Sequence, residues 1–131
     1  MKVDVVLCTF NGARFIEAQL ESIERQSRCP DRVLVFDDCS TDGTLGVVGR
    51  AEHGLPLTVG ANSQRLGAIG NFLQALQQAS GDIVLLCDQD DVWAPNKIAR
   101  MLEYMREQPG LLLLGTDAEL VDATGHATGR L

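Results

Sequence analysis

An α/β domain built on a mainly parallel sheet flanked by helices is the fold class this sequence predicts. Three observations carry that expectation. Short apolar runs alternate along the chain with segments whose apolar residues recur at helical spacing. The runs Val33-Leu34-Val35-Phe36 and Ile83-Val84-Leu85-Leu86-Cys87 are continuous, as in parallel strands covered on both faces. Acid, hydroxyl or amide residues follow the runs, where ligands bind in open α/β sheets.

Val3, Val5, Val6 and Leu7 predict the first strand, which closes at Cys8-Thr9-Phe10 before the turn dipeptide Asn11-Gly12. Ile16, Leu20 and Ile23 stand at i, i+4 and i+7, which predicts a helix over residues 13–26. Residues 33–36 form the second strand and run into Asp37-Asp38. Ser40 or Thr41 is then placed to cap a short helix through Arg50. Leu57-Thr58-Val59 predicts a third strand. Ile69, Phe72, Leu73 and Leu76 mark the apolar stripe of a helix that ends near Ser80-Gly81. Residues 83–87 are the fourth strand, ended by Asp88-Gln89-Asp90-Asp91. Pro95 suits a first helical position, ahead of the stripe Ile98, Met101, Leu102 and Met105. Pro109-Gly110 stops that helix, residues 111–114 predict a fifth strand, and Thr124-Gly125 suits a hairpin tip in a polar tail.

Composition narrows the function. A chain of 131 residues with 45% hydrophobic and 22% charged residues suits one domain with a sizeable core. Its net charge of −7 excludes the basic surface that displaces phosphate counterions, so no nucleic-acid partner is expected. A diphosphate-bearing ligand would instead need a cation between itself and the protein. Cys8, Cys29, Cys39 and Cys87 form no CxxC pair and read as free thiols, and Cys8, Cys39 and Cys87, at or near strand ends, read as small buried hydrophobes in preference to a zinc site. No run reaches a membrane-spanning length and the N-terminus does not read as a signal peptide, so a cytoplasmic location is expected. Membrane association would come only through parts outside this chain.

The sharpest constellation is Asp88-Gln89-Asp90-Asp91 at a strand end. Crowded carboxylates repel one another unless a cation offsets them. Asp88 and Asp90, two apart on an extended chain, can face one ligand. One or two carboxylates completed by phosphate oxygens and water suit Mg²⁺ or Mn²⁺. The plainer reading is a solvated acidic loop with Asp91 starting the next helix. The second constellation, Asp37 to Thr44, offers acids at a strand end able to accept from a base or ribose. There the plainer reading is helix capping by Ser40, Thr41 and Asp42, with Gly43 relieving the turn. GxGxxG, the P-loop and GxSxG are all absent, which makes a cation more necessary for binding phosphate. Arg65 could stack on a base or pair with phosphate, or simply face solvent. His53 and His126 read as surface imidazoles, and Trp93 as core packing.

Together these residues resemble the family 2 glycosyltransferases, which have the GT-A fold. Cys8-Thr9-Phe10-Asn11 matches the family's first strand end. Asp37, Asp38, Ser40, Asp42 and Thr44 match its Asp-Asp-x-Ser-x-Asp-x-Thr segment. Asn62, Gly67 and Asn71 match its Asn-x-x-x-x-Gly loop and helix Asn. Gly81, Asp82, Asp88, Asp90, Asp91 and Trp93 match Gly-Asp, strand, Asp-x-Asp-Asp-x-Trp. The resemblance implies a donor site in which Thr9, Phe10, Asn11, Asp37, Asp38, Arg65 and Asp88 hold the nucleotide. Asp88 and Asp90 would bind Mn²⁺ or Mg²⁺ through the donor diphosphate. It further implies inverting transfer from a UDP- or dTDP-sugar to a saccharide or lipid-linked acceptor, in cell-surface polysaccharide or glycan synthesis. The wording of residues 87–93 is similar to the rhamnosyltransferase-like branch, which would favour dTDP.

Two departures bear on this. Gly70 stands where many members have Arg. The family's acceptor-binding half, with its catalytic base, would lie beyond Leu131, so residues 1–131 are expected to be the nucleotide-sugar-binding part and Asp117 and Glu119 are not assigned as base. A catalytically inactive nucleotide-binding or assembly module is the alternative. A phosphorelay receiver domain would need its acid pair after the first strand, and here the acids follow the second and fourth.

Overall fold

The computed structural model describes residues 1–50 and 54–130. The elements run β1 (Val3–Thr9), α1 (Ile16–Glu24), β2 (Arg32–Asp37), α2 (Thr44–Arg50), β3 (Leu57–Ala61), α3 (Gly67–Leu76), β4 (Ile83–Asp88) and α4 (Lys97–Glu107). Two compact units divide the chain, residues 1–100 and residues 101–131.

The first unit holds a four-stranded parallel sheet in the order β3-β2-β1-β4. β1 is central and all seven of its residues are buried. Chain order runs outward from β1 through β2 to β3, then jumps back to place β4 on the other side. The carboxyl ends of β1 and β4 therefore flank the topological switch point, the crevice where open α/β sheets bind ligands. Their register ends with Cys8 opposite Asp88. This strand order differs from the 2-1-3-4-5 order of receiver-type sheets and removes that alternative.

Alternating side chains give each strand two apolar faces. Val6 and Cys8 of β1 pack with Leu34 of β2 and Ala75 of α3, joined by Phe36, Phe72, Ala79 and Val84. α1 buries Ile16, Leu20 and Ile23 as its spacing predicts, each contributing about 1.5–3 kcal/mol relative to exposure. The helix starts at Ile16 and not Ala13, because Phe15 and Ile16 N–H both turn back to the Gly12 carbonyl.

α3 overturns its predicted facing. Ile69 is 80% and Leu73 57% exposed, Leu76 lies on the same open side, and the buried residues are Asn71 and Ala75. A polar anchor sets this rotation: Asn71 Nδ2 donates to the Phe36 carbonyl at 2.8 Å and its Oδ1 accepts from Asn62 Nδ2 at 2.9 Å. Small Ala75 then lets the helix approach the sheet closely.

The caps also differ from expectation. Neither Ser40 nor Thr41 caps α2. Asp42 Oδ1 accepts from Thr44 N–H at 3.1 Å, and Gly43 supplies the turn with φ +90°. Pro95 lies two residues ahead of α4, whose entry is fixed from the segment that follows α1. The buried Gln26 accepts from Ile98 N–H at 3.1 Å and donates to the Ala94 carbonyl at 2.7 Å.

The second unit contains α4 from Met101 onward and an irregular tail. The expected strand over 111–114 is absent: Leu112 and Leu113 are 95% and 86% exposed, and no strand among the described residues pairs with them. An apolar run becomes a strand only where a neighbour completes its hydrogen bonds. The expected hairpin tip does form, with Val121 bridged to Ala127 and Gly125 at φ +84°. No helix among the described residues is long and apolar enough to cross a membrane.

Candidate functional site

Loops leaving the carboxyl ends of the strands build the site. After β1 the chain turns at Phe10-Asn11-Gly12, with Asn11 in a left-handed conformation at φ +46°. Asparagine is among the few non-glycine residues that visit this region readily. Asn11 N–H donates to Ser40 Oγ at 2.8 Å, and its Oδ1 accepts from Thr41 N–H at 2.9 Å. Asp37, at 1% exposure, accepts from Thr9 Oγ1 at 2.7 Å and from Ser40 Oγ at 2.6 Å and N–H at 2.8 Å. That last pair steadies Cys39, a left-handed residue at φ +65° that would otherwise be strained. Both Asn11 and Asp37 thus stitch the β1 loop to the β2 loop.

Asp38 works on the next loop. Its Oδ1 accepts from Leu66 N–H at 2.7 Å and Asn62 Nδ2 at 2.9 Å, and its Oδ2 accepts from Gly67 N–H at 2.8 Å. Burial opposes its charge, yet these donors, with Arg65 nearby, hold the carboxyl below its ordinary value. The carboxylate therefore fastens residues 62–67 beside the pocket. Within that loop, Arg65 lays its guanidinium over the Phe10 ring, 3.7 Å from the centroid, and so sets a cation at the mouth of an acidic crevice.

A cavity of about 190 Å³ opens at the switch point. Thr9, Phe10, Asp38, Arg65, Asp88 and Asp90 line it, so six of the eight residues expected at the site converge there. Asn11 and Asp37 are not in its lining. Cys8, Ala68, Asn71, Phe72 and Gln89 complete the wall. Sequence reasoning did not assign these five to the pocket. Gln89 had a signal, since it lies between the two acids that were singled out.

The acid loop is electrostatically loaded. Burial, then the neighbouring Asp88 and Asp90, push the Asp91 carboxyl up. Burial, with Asp88 and Asp38, pushes the Cys8 thiol up to about 12. All four cysteines are free, and Cys8 and Cys87 are buried. Among the described residues no three His, Cys, Asp or Glu side chains converge as a metal-holding group. Asp88 and Asp90 nevertheless fit Mg²⁺ or Mn²⁺: they are hard oxygen donors on an open cavity, and two carboxylates leave positions for phosphate oxygens and water. Elsewhere, Trp93 is buried as expected and its backbone N–H donates to Ser22 Oγ at 3.0 Å. His126 is exposed beside Thr124, and His53 lies outside the described residues.

Comparison with known proteins places this geometry. The family model described as Glycosyl transferase family 2 matches residues 4–124. TuaG of Bacillus subtilis (strain 168), whose name assigns it to teichuronic acid biosynthesis, is 30% identical over 132 residues, 95% of this chain and 52% of its own length. The crystal structure of Staphylococcus aureus TarS residues 1–349 in complex with UDP superposes with a TM-score of 0.77 at 33% identity, over 83% of this chain and 33% of that one. The mannosyltransferase PcManGT from Pyrobaculum calidifontis, in complex with GDP-Man and Mn²⁺, gives a TM-score of 0.74 at 34% identity, over 79% and 32%. This chain thus spans about a third to a half of the length of these relatives. The parallel sheet, the crevice at its switch point and the ordered motifs around it have one common account: the chain belongs to glycosyl transferase family 2.

Proposed function

We propose that this domain binds the nucleotide diphosphate of a nucleotide-sugar donor, for inverting, metal-dependent transfer of the sugar to an acceptor hydroxyl. One observation carries the reading. At the switch point a single cavity gathers Thr9, Phe10, Asp38 and Arg65 on one side and the acid pair Asp88 and Asp90 on the other. The first group suits a nucleoside, offering an aromatic ring, a stacked guanidinium, a hydroxyl and a buried carboxylate. The second suits a divalent cation with the diphosphate attached.

Asp88 and Asp90 would hold Mn²⁺ or Mg²⁺, which supplies Lewis-acid stabilisation of the charge on a leaving diphosphate. A neighbour described with GDP-Man and Mn²⁺ supports a metal of this kind. Arg65 offers a fixed positive charge near the same phosphates. The Asp38 carboxylate keeps the base-facing loop in place. UDP and UDP-GlcNAc in TarS support a uridine donor, while the rhamnosyltransferase-like wording of residues 87–93 supports dTDP. The acceptor is a saccharide or lipid-linked glycan, and the pathway is cell-surface polysaccharide synthesis on the cytoplasmic side. Relatives named for teichuronic acid and poly(ribitol-phosphate) chemistry support that pathway.

Calorimetric titration of UDP, dTDP and GDP, with and without Mn²⁺, tests the reading on the wild type and on Asp90→Ala. The expected result is Mn²⁺-dependent binding of one nucleotide, weakened at least about tenfold by Asp90→Ala, as loss of a charged contact implies. A folded chain that binds none of the three under either condition would refute it.

A further inference from the structure

Gln89 stands between the two acids, one residue past the end of β4. Its side chain is not directed at solvent. Oε1 accepts from Phe10 N–H at 2.9 Å and Nε2 donates to the Phe10 carbonyl at 2.9 Å. A primary amide paired twice with one residue's backbone does what a neighbouring strand would do. The main-chain ladder between β1 and β4 ends at Cys8 and Asp88, and Gln89 extends it by one rung with a side chain.

Gly12 completes the arrangement. Its backbone is not left-handed, so its conformation admits any residue. Space sets the constraint: a Cβ there would lie 2.1 Å from Gln89 Oε1 and 2.5 Å from Cδ, so any other residue displaces the end of the glutamine from Phe10. Glycine at this position leaves the glutamine its notch and is not demanded by a turn. The opposite side of the same segment is fastened by the β2–α2 loop, through Asn11 N–H to Ser40 and Gly12 N–H to Thr44 Oγ1 at 3.0 Å. Phe10, gripped by Gln89, is the ring that seats Arg65.

We infer that Gln89 is a positioning residue that clamps the nucleotide-facing Phe10 segment to the metal-facing acid pair, with Gly12 as its notch. The inference rests on the donor-site reading for what the two sides bind, and the clamp itself rests on the contacts above. The clamp makes the two subsites one rigid unit, so that occupancy of the acid pair is felt by the nucleoside and the reverse.

Amide hydrogen exchange and UDP titration with and without Mn²⁺, on the full chain, test this in Gln89→Ala, Gln89→Glu, Gly12→Ala and the double variant Gly12→Ala with Gln89→Ala. In Gln89→Ala, Phe10 N–H should exchange about fivefold faster or more, the scale of one lost hydrogen bond. The factor by which Mn²⁺ tightens UDP should fall by a similar amount, with metal-free UDP affinity changed less. Gln89→Glu keeps the acceptor and loses the donor, so Phe10 N–H should stay protected. Gly12→Ala should lower Tm, and adding Gln89→Ala should raise it again, because the clash partner is gone. Unchanged Phe10 exchange in Gln89→Ala, or additive Tm losses in the double variant, overturns the clamp. An unchanged Mn²⁺ factor overturns its coupling role. A wild-type chain that binds no nucleotide sinks the donor reading instead, and exchange and the double variant still decide the clamp.

Discussion

Asp4 shows how much one residue can organise at the end of the sheet opposite the pocket. It is a buried acid in the middle of an apolar run, which costs free energy unless donors surround it. Its Oδ2 accepts from Arg32 Nη2 at 2.7 Å, Ser80 N–H at 2.8 Å and Gly81 N–H at 2.9 Å, tying β1 and β2 to the α3–β4 turn. Burial pulls its carboxyl upward, but Arg32 and the two amides outweigh it and hold it below the ordinary 3.8. A depressed folded-state value means that the stabilisation is complete above the unfolded value and fades as pH falls through the folded one. Asp4→Asn should therefore cost about 1–3 kcal/mol at pH 7 by urea unfolding, with the two proteins converging below about pH 3.8. Parallel pH profiles would deny the carboxylate its role. Nothing local in the sequence marks Asp4, because its three partners come from residues 28 to 77 positions away.

At the scale of the element, α3 separates pattern from packing. The i, i+3, i+4, i+7 stripe is real, but most of it faces outward, and the helix seats on Asn71, Phe72 and Ala75. Periodicity reports which side chains share a face and leaves open which face meets the sheet. Here the Asn71 bonds to Phe36 and Asn62 decide it. Ile69→Gln should then change stability by no more than about 0.5 kcal/mol, as for other surface substitutions. Ala75→Leu should cost about 1–3 kcal/mol by overpacking the helix–sheet seam. Thermal and urea unfolding of the two variants checks this, and the reverse ranking would mean that the stripe faces the core. α1 and β1 raised no such ambiguity. Their apolar residues have one buried face to fill, or two in the case of β1, and the polar residues buried with them, Asp4, Thr9, Gln19 and Ser22, do not turn the apolar residues away from it.

Across the whole molecule, protection should follow burial. β1 is buried along its full length and paired on both sides, so its amides should be the slowest to exchange and should approach the global unfolding limit. Almost every residue beyond Gly110 is exposed, with one isolated bridge, so these amides should exchange fastest. Hydrogen exchange followed by mass spectrometry reads both limits at once. Comparable protection of residues 111–130 and β1 would contradict this gradient.

By itself the sequence determined the α/β class, the strands β1 to β4 of a mainly parallel sheet, the core of β1 and α1, and the acids at the strand ends, while the family resemblance carried by its motifs brought in Phe10 and Arg65. These follow from spacing, composition and motif order, which are local and need no partner. Tertiary structure alone decided that Asn11 and Asp37 support the loops instead of lining the cavity, that α3 turns its stripe outward, and that residues 111–114 form no strand. It also decided that Gln89 grips Phe10 across Gly12. Each of those outcomes depends on which distant group supplies a hydrogen bond or occupies a space, and a one-dimensional pattern does not encode that.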